Sequence, residues 1–290
     1  MGTLALNFLG DLTIARDGEP LELPPSRKTR ALLAYLALTG RALRREHLCE
    51  LLWEIPDDPR GSLRWSLSKL RRLVDDETHE RIVADRLAVR FDATDVRLDV
   101  AALATIARGK LDETPLEELE AAASRYCGTP LEGLELPTFH DYSAWYMGER
   151  ERATANQVRL LNALLKRLAG DPQRAVEHAR MLVRIAPYDE KVRATLIRLL
   201  VTLGRPDQAE QHYQMGSRLL KEAGATPTGE LFRAWRGAPT ARDGGSAANA
   251  GRNLRPPAAN MRVASDAKGA AEPRLIGRDP EVEALRAAMT

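Results

Sequence analysis

The sequence predicts a mainly α-helical protein in which a small α+β domain is followed by an all-α domain of helical repeats. Short strand-like segments bounded by turn residues stand at both ends of the first 98 residues, and three helical segments lie between them. From residue 99 to about residue 235 the apolar spacing is almost wholly helical, and part of it repeats. These observations together indicate the fold class.

The first domain begins with a small antiparallel sheet and a capped helix. Residues 4–9, 11–16 and 21–23 have the patterns of short strands. Ser26 is placed to cap a helix that runs to residue 38, and Gly40 is placed to end it. We therefore expect three strands followed by one helix.

Two further helices and a hairpin complete this domain. Residues 46–53 predict a short second helix, and residues 60–76 predict a third. Residues 81–90 alternate weakly around an Asp85-Arg86 turn, which predicts a β-hairpin behind the third helix. The expected order is strands, three helices and a hairpin.

The third helix has one apolar side and one cationic side. A rotation of about 100° per residue places its apolar side chains on one stripe: Leu63, Leu67, Leu70 and Val74. The opposite side carries Arg64, Trp65, Ser68, Lys69 and Arg72, and the stripe is flanked by Arg60 and Arg71. No acidic residue occurs between residues 59 and 74, so no partner four residues away balances these cations. A solvated helix surface is the ordinary interpretation of a charged face, but this imbalance favours a binding role.

Residues 26–45 are a second segment without acids. Its cations are Arg27, Lys28, Arg30, Arg41, Arg44 and Arg45. A cationic helix on a compact scaffold has the form needed to enter the DNA major groove, and Arg86 at the hairpin tip could reach the backbone or minor groove. Two interpretations of Trp65 stay open, which are packing against the hairpin and contact with a ligand.

The second domain contains an internal repeat. Six residues recur in type and order 34 positions later, in the pairs Gly170 and Gly204, Pro172 and Pro206, Ala175 and Ala209, His178 and His212, Met181 and Met215, and Arg184 and Arg218. This period is typical of tetratricopeptide helix pairs, in which a small residue lets two helices approach. We therefore expect two such units within residues 157–223.

Both regions resemble one family of bacterial regulators. The segments SRKTRALLAYLAL, REHLCELLW and RGSLRWSLSKLRRLV resemble the OmpR-type winged-helix domain of SARP-family transcriptional regulators. The later segments LLKRLAGDPQRAVEHARMLVRIAPYDE, LIRLLVTLGRPDQAEQHYQ and LLKEAGATPTGELFRAW resemble the bacterial transcriptional activation domain (BTAD) that accompanies it. The resemblance covers residues 4–236. It implies an N-terminal winged-helix domain followed by an all-α tetratricopeptide-like domain.

The resemblance also implies the binding partner and the residues that contact it. Double-stranded DNA at promoter repeats is the implied target, and RNA polymerase or a second copy of the chain is the implied protein partner. The implied DNA-binding residues are Arg44, Arg45, Arg60, Ser62, Arg64, Trp65, Ser68, Lys69, Arg71, Arg72 and Arg86. Alignment with the family's third helix favours Lys69 as a base reader. Trp65 replaces a smaller residue of the family, so the DNA sequence recognised does not follow from relatives.

The chain divides into four predicted segments. Residues 1–98 form the winged-helix domain and residues 99–236 the BTAD. Residues 237–273 are rich in Gly, Ala, Pro and Asn and predict a flexible linker. Residues 274–290 resemble the truncated start of an ATPase-like domain, although the phosphate-binding loop motif is absent from the sequence.

The composition excludes several other classes of protein. With 44% hydrophobic and 29% charged residues and a net charge of +2, the chain is globular and any basic surface must be local. No apolar run is long enough to span a bilayer and the N-terminus does not have the pattern of a signal peptide, so we expect a cytoplasmic protein without a membrane partner. Cys49 and Cys127 have neither zinc-ligand nor disulfide spacing and are predicted to be buried free thiols.

No catalytic pattern stands out, so the sequence predicts no enzymatic activity, cofactor or metal site. The aromatic stretch at Phe139, Tyr142, Trp145 and Met147 favours core packing over a binding groove. Two alternative functions remain. One is a protein-interaction adaptor built on the tetratricopeptide-like repeats, and the other is the regulatory N-terminal part of an ATP-driven signalling switch.

Overall fold

The computed structural model describes residues 3–53, 58–225 and 228–237. Apart from Gly237, the predicted linker and residues 274–290 lie outside the described residues. The N-terminal region contains, in order, β1 (Leu4–Asn7), β2 (Thr13–Arg16), β3 (Glu19–Pro20), α1 (Arg27–Thr39), β4 (Leu43–Arg44), α2 (Arg45–Leu52), α3 (Pro59–Val74), β5 (Ile82–Ala84), β6 (Ala88–Phe91) and β7 (Val96–Leu98). The described helices that follow are α4 (Asp99–Arg108), α5 (Leu116–Ala123), α6 (His140–Arg167), α7 (Pro172–Ile185), α8 (Glu190–Thr202), α9 (Pro206–Glu222) and α10 (Glu230–Arg236). The predicted order of strands, three helices and hairpin is confirmed.

The strands form two small sheets. The first has the order β3-β2-β1-β7, with β1 antiparallel to β2 and parallel to β7. The second is antiparallel and has the order β4-β6-β5, so the predicted hairpin is β5–β6. The third strand was predicted at residues 21–23, and this position is wrong because β3 ends at residue 20. Leu21 and Leu23 instead pack against the hydrophobic core.

The helix boundaries follow from local capping interactions. Ser26 accepts a hydrogen bond from the Thr29 N–H, and Gly40 ends α1 in the left-handed region at φ 64°. Asp58 caps α3 by accepting from the Gly61 N–H at 2.8 Å, and Pro59 occupies the first helical turn. These caps fix where α1 begins and ends and where α3 begins.

One hydrophobic core joins the two regions of the chain. It contains Leu6, Leu36 and Leu67 from the N-terminal region together with Leu131 and Tyr142 from the helical region, and each of these side chains is at most 1% exposed. The core buries apolar side chains from before and after residue 98 in the sequence. Their burial stabilises the N-terminal region and the start of the helical region together.

Asp99 makes a polar connection at the same junction. Its carboxylate accepts hydrogen bonds from the Phe8 N–H at 2.8 Å and the Leu9 N–H at 3.0 Å. Burial raises the pKa of Asp99, although hydrogen bonds from Phe8, Leu9 and Val100 act in the opposite direction. The carboxylate thus satisfies backbone donors where the β1 strand ends and α4 begins.

The helical region confirms the tetratricopeptide-like repeat. The helices α7 and α9 begin at the equivalent residues Pro172 and Pro206. Ala175 and Ala209 are 1% and 0% exposed, as expected for small residues between closely packed helices. The helix α10 packs on α8 and α9.

The predicted burial of two other features is only partly correct. Cys49 is buried, but Cys127 is exposed, because it lies in the loop after α5 rather than on a packed helix face. In the aromatic stretch, Tyr142 is fully buried as predicted, whereas Met147 is 50% exposed. None of the described helices is long and apolar enough to cross a bilayer.

Candidate nucleic-acid interface

Helix α3 buries its apolar stripe and presents its cations outward. Leu63, Leu67, Leu70 and Val74 are at most 1% exposed. Arg64, Ser68 and Arg72 are exposed on the other side, and Lys69 is half-buried. The two sides therefore lie where the helical spacing predicts.

Trp65 stands on the outward side of α3 and is 50% exposed. The Lys69 ammonium lies 5.4 Å from the centroid of the Trp65 ring. A cation at this distance is attracted by the ring's electron density and is held on the exposed side of the helix. Trp65 also lines a shallow cavity with Ser62 and Trp53.

A buried hydrogen bond fixes the rotation of α3 on its scaffold. Thr29 in α1 and Ser66 in α3 are 0% and 2% exposed, and their hydroxyl oxygens are 3.0 Å apart. Each hydroxyl would lose its partner if α3 turned about its axis, and an unpaired buried hydroxyl is costly. The outward side of α3 is therefore held in one orientation.

The chain between α3 and the hairpin is anchored by Asp75. One oxygen of its carboxylate accepts from the Arg81 N–H at 2.8 Å and the Ile82 N–H at 3.0 Å. The Arg71 Nε donates to the Ile82 carbonyl at 3.4 Å, a long contact that directs this cation toward the hairpin. Arg71 thus contacts the β5 strand as well as flanking the α3 stripe.

The turn of the β5–β6 hairpin is tied to α2. Asp85 accepts from the Leu87 and Ala88 N–H groups, both at 2.7 Å, and these bonds lower the pKa of its carboxyl. Arg45 donates from Nε to the Asp85 carbonyl at 2.7 Å. These bonds hold the turn in place, and Arg86 within it is exposed to solvent.

A groove of about 850 Å³ lies between α2, α3 and this turn. The predicted site residues that line it are Arg45, Arg60, Arg64 and Arg86. Glu46 also lines the groove, and its carboxylate is 3.9 Å from the Arg60 guanidinium. Ser68, Lys69 and Arg72 do not line the groove, and Arg44 is exposed on β4.

Five of the predicted cations make no hydrogen bond or ion pair with any described residue. They are Arg44, Arg64, Lys69, Arg72 and Arg86. Arg45, Arg60 and Arg71 each have a polar partner within the chain. The five therefore retain their charge and hydrogen-bond donors for an external anion.

Sequence reasoning missed Leu87, which lies beside Arg86 at the hairpin tip and is 77% exposed. Its place in a predicted turn was the only available signal, and a turn by itself does not distinguish a contact residue from a solvated one.

Comparisons with known proteins agree with this architecture. Residues 91–237 match the family model described as the bacterial transcriptional activator domain. The solved structure of Mycobacterium tuberculosis EmbR in complex with a low-affinity phosphopeptide has a similar fold, with a TM-score of 0.58 and 21% sequence identity. The match covers 81% of this chain and 65% of that chain. No curated protein shows a significant sequence match. The chain therefore belongs to the bacterial transcriptional activator domain family.

Proposed function

We propose that this regulator binds promoter DNA sequence-specifically, with α3 in the major groove and the β5–β6 hairpin as a wing. The observation that carries the proposal is the outward side of α3, where Arg64 and Arg72 are exposed without a partner among the described residues. Cations without an acidic partner contribute little to folding, but they gain favourable contacts when phosphates or base edges approach.

The dimensions and donors of α3 suit duplex DNA. A helix with its side chains is about 10–12 Å across, and the major groove is about 12 Å wide. Arg and Lys can donate to the acceptor atoms of guanine, while other cations and hydroxyls contact phosphate. Lys69 is the proposed base reader, and Arg72 and Ser68 are proposed to contact the backbone.

The wing is proposed to make the second contact. Arg86 is exposed at its tip, and the bond from Arg45 to the Asp85 carbonyl supports the turn from behind. A supported turn loses little conformational freedom on binding, so a contact from Arg86 to phosphate or minor groove adds affinity at low entropic cost.

The helical repeats are proposed to mediate association with a second copy or with RNA polymerase in the cytoplasm. Stacked helix pairs offer an extended surface for protein contacts. No catalytic step and no cofactor belong to this function.

The decisive experiment measures DNA binding by the whole chain. Residues 1–98 alone are a poor probe, because Leu131 and Tyr142 complete the core that supports α3. We expect the whole chain to shift fragments of its own promoters and the double variant Arg64→Ala, Arg72→Ala to lose this shift. Arg198→Ala, which removes an exposed arginine of α8, is the matched control and should bind normally.

The adaptor alternative predicts a different outcome. If the repeats carry the function alone, the whole chain binds no promoter fragment, and the α3 substitutions affect nothing that is measured. Genome-wide mapping of bound DNA would then show no enriched motif, whereas our proposal expects repeated half-sites.

A further inference from the structure

A second cavity lies in the helical region, away from the proposed DNA interface. Its volume is about 530 Å³, and it is enclosed by the loop at residues 126–130 and by α6 and α7. This volume is within the range of small-molecule sites, which is about 300–1,000 Å³. We refer to it as the α6–α7 pocket.

The polar lining of the α6–α7 pocket is cationic. Arg150 and Arg184 both line it, and none of its described lining residues is Asp or Glu. The Glu132 carboxylate lies behind the loop, where it accepts a hydrogen bond from the Thr129 N–H at 3.2 Å. Arg150 uses one guanidinium nitrogen to donate to the Tyr146 hydroxyl at 3.2 Å, so its other donors remain available. Arg184 is exposed and makes no hydrogen bond or ion pair with a described residue.

The two repeat units differ in whether this arginine has an ion-pair partner. Its equivalent in the second unit is Arg218, whose Nε donates to Glu222 at 2.7 Å. The residue equivalent to Glu222 in the first unit is Tyr188. The first unit therefore has the arginine without the carboxylate that neutralises it in the second.

Gln157 adds a polar group to the pocket wall. The residue is 6% exposed and lines the pocket, and its side chain makes no hydrogen bond to any residue that the structure describes. Its amide is not among the fully buried polar groups, so its donors and acceptor remain available to a ligand. Met181 and Ile185 form an apolar part of the same wall.

The walls of the pocket are held in place before any ligand binds. The Cys127 N–H donates to the Leu9 carbonyl at 2.9 Å, and the Leu131 N–H donates to the Phe8 carbonyl at 2.7 Å. The Tyr126 hydroxyl donates to the Ala153 carbonyl of α6 at 3.0 Å. These bonds tie the loop to α6 and to the residues that directly follow β1, so little ordering is needed on binding.

We infer that the α6–α7 pocket binds a small organic anion. Its carboxylate or phosphate pairs with Arg150 and Arg184, its polar atoms meet the Gln157 amide, and its apolar body contacts Met181 and Ile185. This inference does not depend on DNA binding by α3.

The test is a titration of the whole chain carrying ¹³C-labelled Met and Ile methyl groups. The probes are phenyl phosphate, 4-phenylbutyrate and the uncharged 4-phenylbutanol. We expect at least one of the anions to shift the Met181 and Ile185 signals saturably, and the alcohol to bind more weakly. The two anions distinguish a phosphate ligand from a carboxylate ligand.

Substitution of one arginine completes the test. Arg184→Gln should weaken binding of that anion about 10-fold or more, because a charge-assisted hydrogen bond is lost. Arg198→Gln, on the exposed surface of α8, should leave the affinity unchanged, and the remaining methyl signals report whether each variant is folded. Lack of saturable binding by both anions, equal affinity in Arg184→Gln, or equal affinity for the alcohol would overturn the inference.

Discussion

Substitution of Arg72 by Gln should lower the salt dependence of DNA binding by a defined amount. Each phosphate neutralised by a cation contributes about −0.9 to the slope of log K against log salt concentration. Lys69 is proposed to read a base, so the phosphate contacts fall to the other four predicted cations without a partner among the described residues, Arg44, Arg64, Arg72 and Arg86. They give a slope of about −3.6 per bound protomer. This slope corresponds to a loss of roughly 150-fold in affinity between about 50 and 200 mM salt.

Removal of the Arg72 charge should bring the slope to about −2.7. Arg72 is exposed and its side chain makes no hydrogen bond to a described residue, so Arg72→Gln should leave folding unchanged. Fluorescence anisotropy with a labelled promoter duplex at several salt concentrations measures the slope directly. Arg198→Gln in α8 removes an exposed arginine outside the proposed interface and should keep the parent slope.

The reasoning is refuted if Arg72→Gln retains the parent slope, since that cation then meets no phosphate. An equal reduction in Arg198→Gln would refute it as well, because net charge alone would explain the effect. A parent slope near zero would remove the electrostatic basis of the whole interface.

Three further predictions concern base preference, packing and pH. Lys69→Ala should relax discrimination at one base position by about 1–3 kcal/mol, whereas Arg72→Ala should lower the affinity for all DNA sequences alike. Selection of bound sequences from random DNA would show the reverse if the two roles are exchanged. Urea titrations should show that Gly216→Ala destabilises the chain by about 1–3 kcal/mol, because the new Cβ would lie 2.3 Å from Arg193 Cδ. Gly148 lies in α6 with open space around it, so Gly148→Ala should instead stabilise the chain by about 0.5–1 kcal/mol. Burial, aided by Arg193 and Arg180, lowers the pKa of His212, so the unfolded chain binds a proton more readily and stability falls as the pH drops below the ordinary histidine value. Urea midpoints at about pH 7.5 and 5.5 should differ less in His212→Gln than in the parent, and an unchanged difference would contradict this role.

Local sequence patterns were sufficient to predict the helices of the N-terminal region. Ser26 and Gly40 act within one turn of the helix ends that they determine. The stripe of Leu63 and Leu67 follows from the helical period alone. These features depend on neighbours in the sequence, which is why they could be predicted.

Contacts between distant residues could not be predicted in this way. Asp99 bonds to Phe8 across 91 positions, and the β7 strand beside it has only three residues, too few for a pattern. Likewise, nothing near Arg60 indicates that Glu46 lies 3.9 Å away, or that Arg71 reaches the hairpin. The sequence therefore predicted which residues are cationic, but not which of them remain without an internal partner.

The contacts around α1 bear on how the helical repeats could influence DNA binding. The Tyr35 ring of α1 meets the Trp145 ring of α6 at 4.7 Å, edge to face, in the core that both regions share. On its other side α1 holds α3 through the buried pair of Thr29 and Ser66. A shift of α6 relative to α1 would break this aromatic contact. Closely packed protein interiors oppose such a rearrangement. The two helices therefore move together. If the repeats of two protomers associate as proposed, the geometry of that association sets the distance between their α3 helices. Half-site spacing on the DNA should then follow from the helical repeats, and base preference from the proposed contacts of α3.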